Sequence, residues 1–200
     1  MPEQAAEIHT IDNEPLAPES AQALEYLRTG AAKMNVHGLR ERVRAAAQEL
    51  ENALDGVTET AARARPFAGK WTVAEVVDHI AQTQIRSAEE LRHLLAGRRP
   101  PGPPVYEALR SGAAAWVPWA ELVDGLRSAN RELVALLETV ADEAAVPAGA
   151  TARAILVINR EGHATPQIFA VELGWKEYAL VQRLHLIEHR NQIKKLKEAV

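Results

Sequence analysis

The sequence contains no cysteine. That absence excludes disulfide bonds, thiolate metal sites and a cysteine nucleophile, so any metal must be held by His, Asp or Glu. Aromatic residues make up only 4% of the chain, which leaves aliphatic side chains to fill a core. The abundance of Ala, Leu, Glu and Arg then favours helices. No apolar stretch approaches the roughly 20 residues needed to span a bilayer. The start of the chain has neither the basic residues nor the apolar run of a signal peptide, and a cytoplasmic location with no membrane partner is the expectation. Charge of one sign is also lacking: the formal net charge is −4, with the basic residues spread out, so nucleic acid is not an expected partner. Glycine-rich phosphate loops, a nucleophile elbow and a dinucleotide fingerprint are absent as well.

What is present reads as one domain. Residues 1–32 are polar, carry Pro2, Pro15 and Pro18, and contain one short helical candidate from Ser20 to Leu27 with few apolar anchors; they read as a loosely attached arm preceding a domain over 33–200. Val36, Leu39, Val43, Ala46, Leu50 and Leu54 recur at helical spacing and predict an amphipathic helix ended by Gly56. Thr72 and Glu75 form a capping box that opens a second helix through Val76, Val77, His79, Ile80, Ile85, Leu91 and Leu94. Residues 97–118 are too rich in Pro and Gly to be helical through their first half, and a connection of that length is often a cover over a site. A third helix is predicted from Pro118 or Trp119 to about Asp142, and Ala154–Ile158 and Gln167–Val171 read as a small β-hairpin around the turn 160–166. A last helix over 175–196 completes a mainly α, four-helix bundle.

That last helix is unusual. Tyr178, Gln182, His185, His189, Gln192 and Leu196 share one stripe, because residues three and four apart are neighbours on a helix surface. A buried polar row costs on the order of 1–3 kcal/mol per unsatisfied group. A metal ion would satisfy the two imidazoles, and a third histidine from another helix would complete the set; the alternative is a pair of buried rings bonded to the amides or to backbone carbonyls. Of the seven histidines, His9, His37, His93 and His163 sit in contexts suited to solvated or locally bonded side chains.

Two motifs, Trp71-Thr-Val-Ala-Glu-Val-Val-Asp-His79-Ile-Ala and Arg183-Leu-His185-Leu-Ile-Glu-His189-Arg-Asn-Gln192-Ile, resemble the DinB/YfiT-like family of bacterial metalloproteins, over roughly residues 35–197. The resemblance implies an up-up-down-down four-helix bundle with one divalent ion, zinc or nickel, bound by His79, His185 and His189, and a homodimer. Gln192, Gln182 and Tyr178 are the candidate supporting or pocket residues. The family also implies a metal-dependent transferase that activates a small-thiol cosubstrate, or a hydrolase, acting on a small molecule.

Three neutral imidazoles leave an ion its charge and an open position, as in catalytic zinc sites, where a bound thiol is held as thiolate. Without cysteine in the chain, that thiol must come from a cosubstrate. Asp78 reads as either a partner of the site or an exposed carboxylate, and Glu188 as a general base only if its face meets the pocket. Arg98 and Arg99 read as a solvated pair or as a grip on an anionic cosubstrate. The competing function is a non-catalytic, stress-related binding or scaffold bundle.

Overall fold

The computed structural model describes residues 18–105, 107–158 and 167–200. Its helices are α1 (Pro18–Lys33), α2 (Val36–Ala53), α3 (Glu59–Arg63), α4 (Val73–Leu95), α5 (Trp119–Glu138) and α6 (Trp175–Glu198), with strands β1 (Ala152–Ile158) and β2 (Gln167–Leu173). Local chemistry marks several of the starts. Asn35 caps α2 by accepting from the Gly38 N–H, and Thr72 and Glu75 close the predicted capping box at α4.

Four helices form a ring in which α2 packs on α6, α6 on α4, α4 on α5 and α5 on α2. Their core falls into two clusters along the bundle. One gathers the late part of α2, the early parts of α4 and α5, and the late part of α6. The other gathers early α2, late α4 and α5, and early α6, together with α1 and the hairpin. The chain therefore runs up, down, down, up, which corrects the up-up-down-down order implied by the resemblance. The parallel neighbours are α4 with α5 and α2 with α6. Residues 96–118 cause this: they travel back along the bundle before α5 begins, so α5 starts at the same end as α4.

The hairpin is antiparallel, with Ala152 opposite Leu173 and Ile158 opposite Gln167, longer at its outer ends than the sequence indicated. Its turn lies outside the described residues. The helix α3 was not foreseen, and α5 ends four residues before the predicted Asp142. Ile85, counted with the inner face of α4, is half exposed. Residues 18–33 also depart from the loosely attached arm: they form a full helix that buries Leu24, Leu27 and Ala31 against a core shared with Tyr178, Ala179 and Leu180 of α6. Three apolar contacts at helical spacing suffice to dock it; residues 1–17 lie outside the described residues. Among the described residues no helix is long and apolar enough to cross a membrane.

Candidate metal centre

His79 projects from α4 beside Val76 and Ile80, both fully buried, while His185 and His189 project one turn apart from α6. Because α4 and α6 are neighbours in the ring, the three rings meet. One ring nitrogen from each lies within 4.8 Å of the others. His185 Nε2 stands 3.1 Å from His79 Nε2 and 2.9 Å from His189 Nε2.

The outer nitrogens decide what these contacts mean. His79 Nδ1 donates to the Leu109 carbonyl at 2.9 Å, and His189 Nδ1 donates to the Gln192 side-chain oxygen at 2.7 Å. A neutral ring that donates from Nδ1 presents a lone pair at Nε2. Two lone pairs therefore face one nitrogen of His185, which has at most one proton to give. Protonating a ring is no remedy here. Burial, with His189 and Arg110 adding to it, pulls His79 down to about 4. His185 is held well below the usual range by burial and by its two neighbours, and His189 is lowered by burial against the pull of Gln192.

A cation resolves this conflict, since all three nitrogens can offer it lone pairs. Nitrogens roughly 2 Å from one tetrahedral zinc ion stand about 3.3 Å apart, close to the separations seen. The outer hydrogen bonds also match the pattern by which ligand imidazoles are oriented through their other ring nitrogen. His185 departs from it: its Nδ1 is buried with no partner among the described residues. The donor set fits a divalent ion.

The surroundings come from the 97–118 connection. Leu109 supplies the acceptor for His79, and Asp78 holds the next residues by accepting from the Ser111 hydroxyl at 2.6 Å and the Gly112 N–H at 3.1 Å. Gly112 has φ of 81°, a left-handed conformation that favours glycine. Arg63 of α3 donates to the carbonyls of Ala114 and Val117, fixing the end of the same segment. Trp71 packs against His79 with ring centroids 5.0 Å apart and planes tilted by 57°, and the Arg110 guanidinium lies 5.1 Å over the Trp71 ring. A cleft of about 720 Å³ on this side is lined by Asp78, Arg65, Arg110 and Ser111.

Residues 42–164 match the DinB superfamily, more than half of the 200-residue chain. The chain belongs to the DinB superfamily. Among solved structures, this DinB chain is similar to YfiT from Bacillus subtilis, described as a probable metal-dependent hydrolase with an unusual four-helix bundle topology. The TM-score is 0.52 at 14% identity, covering 93% of this chain and 90% of the other. That likeness is one of fold. No curated protein matches.

Of the six residues named from the sequence, the structure brings His79, His185, His189 and Gln192 together. Tyr178 lies two turns from His185 and is not at the cluster; its buried hydroxyl donates to Glu90 at 2.7 Å. Gln182, one turn before His185, is buried with its Oε1 unpartnered among the described residues. Glu188 is exposed, and Arg99 pairs with Glu172 at 2.8 Å. His37 is exposed, His93 is half-buried and neither joins the cluster, while His9 and His163 lie outside the described residues. The supporting roles of Leu109 and Trp71 were missed. A backbone carbonyl leaves no mark in a sequence, whereas Trp71 stood inside the quoted motif.

Proposed function

We propose that His79, His185 and His189 hold one divalent ion, zinc or nickel, and that the protein transfers a low-molecular-weight thiol cosubstrate to a small electrophile. The observation that carries the metal reading is the facing of two imidazole lone pairs onto a single nitrogen of His185. When bound, such an ion supplies Lewis acidity that favours the deprotonated form of a thiol or of water.

The chain's own residues do the rest. Leu109 and Gln192 fix which nitrogen of His79 and His189 faces inward. Gln182 Oε1 and His185 Nδ1, one turn apart on α6, are buried with no partner among the described residues. Trp71 and the Leu109 segment cover the His79 side and keep water from it. The groups hydrogen-bonded to the outer nitrogens are an amide and a carbonyl, neither of which takes up a proton. A coordinated thiol would be deprotonated outright, its proton leaving to solvent, whereas metal-bound water loses its proton only near neutral pH. With no cysteine in the chain, the thiol is a cosubstrate.

The test is metal content by inductively coupled plasma mass spectrometry on untagged protein purified without chelator or nickel resin, for wild type and His189→Ala. Close to one zinc or nickel per chain, lost in the variant, is the expected result. Wild-type protein that is folded, metal-free and takes up neither added ion would sink the proposal. The loaded protein is then assayed for consumption of small thiols with electrophiles. Ester or amide cleavage without a thiol would make it a hydrolase, and a loaded protein that turns over nothing would support the stress-related binding bundle.

A further inference from the structure

We propose a second binding site, separate from the histidines, for a small amphipathic anion: an apolar body carrying one carboxylate or phosphate. It lies in a cleft of about 580 Å³ between α1 and α6, a size suited to small ligands. Leu180 and Leu184 of α6 and Met34 line its apolar part, and Lys33, Arg42 and Arg183 line it as cations.

The charge pattern identifies the occupant. Several arginines elsewhere are engaged: Arg44 with Glu41 and Glu138, Arg86 with Glu90, Arg190 with Glu49. In the cleft near Asp78, Arg63 holds Glu59 and two carbonyls, and Arg65 holds Glu75. Lys33, Arg42 and Arg183, by contrast, have no ion pair or hydrogen bond among the described residues, yet they share one cleft. The carboxylate in that cleft, Glu25, already accepts from the Thr29 hydroxyl at 2.9 Å. Three cations beside an apolar surface complement a ligand with an anionic head and an apolar body.

Gly30 supports the same reading. It lies within α1, where glycine weakens a helix, and no turn requires it. A Cβ there would meet Leu180 Cδ1 at 3.5 Å, an ordinary contact, so close packing does not require glycine either. What its missing side chain does is leave the cleft open.

The experiment titrates the full-length protein, with its metal, using 1-anilinonaphthalene-8-sulfonate as a fluorescent aromatic anion. Decanoate, decyl phosphate and decyltrimethylammonium then compete. Expected is one saturable site, displaced by the two anions and not by the cation, with the more effective anion naming the head group. Binding should weaken at least tenfold in Arg42→Gln/Arg183→Gln, vanish in Gly30→Leu with the helical circular dichroism unchanged, and persist in His189→Ala. Equal displacement by the cation, unchanged binding in the charge variant, or loss in His189→Ala would each overturn the proposal. So would a dimer in sedimentation velocity that Gly30→Leu dissociates, because a second copy would then fill the cleft.

Discussion

Asp78 accepts a hydrogen bond from the Ser111 hydroxyl at 2.6 Å, one residue before a histidine whose ring donates to Leu109. Two adjacent residues of α4 thus grip the same few residues of the 97–118 connection. The grip couples the position of the connection to the orientation of an imidazole.

Asp78→Ala should therefore weaken metal binding although it removes no ligand. The Ser111 and Gly112 donors lose their acceptor, the segment loosens, and the Leu109 carbonyl no longer fixes the ring. Loss of an orienting partner typically costs about 10–100-fold in metal affinity, and the lower end is expected for this indirect effect. Competition against a chromophoric chelator reads it; affinity equal to wild type would show that the loop does not orient His79.

Gln192→Ala removes a direct acceptor, so its effect should be the larger one. An affinity loss toward the upper part of the range of about 10–100-fold is expected, with one ion still bound at saturation. Gln192→Glu, which keeps an acceptor at the same place, should recover most of the loss.

The α4 capping box makes a pH-dependent contribution to stability. Burial works to raise the Glu75 carboxyl, but the Thr72 backbone N–H and the Arg65 guanidinium outweigh it and hold it below the usual range. A carboxyl lowered on folding stabilises the native state above the unfolded value of about 4.3, and that contribution fades as pH falls through the folded value. Glu75→Gln should cost roughly 1 kcal/mol at pH 7. The gap between wild type and variant should narrow below pH 4.5 in urea unfolding; a constant gap would mean that Glu75 acts by shape alone.

Leu27→Ala tests how firmly α1 is attached. Leu27 is 2% exposed in the core shared with α6, and truncating a buried leucine typically costs about 2–5 kcal/mol. Faster amide hydrogen exchange confined to 18–33 would show that α1 undocks by itself. A lowered global urea midpoint would show that it unfolds with the bundle.

The bundle and its metal candidates were legible because both depend on helical spacing. Val76, Ile80, Leu91 and Leu94 repeat on α4, the Thr72–Glu75 box marks its start, and His185 and His189 stand one turn apart on α6. Direction was not legible, because nothing in residues 97–118 encodes whether they turn back at once or cross the length of the bundle. The stripe on α6 also misled in part: Tyr178 shares a face with His185 but meets a different neighbour, Glu90, farther along α4. Residues 18–33 looked unanchored because their three buried apolar side chains matter only once α6 is beside them.

The contact between His79 and His185 joins positions 106 apart in the chain. Bridged by an ion, it would close a loop of that length, and in the chain-entropy account a cross-link closing about 100 residues restricts the unfolded ensemble by about 4–5 kcal/mol. A chain without cysteine would thereby gain a reversible counterpart of a disulfide, one that a chelator undoes where a reductant cannot.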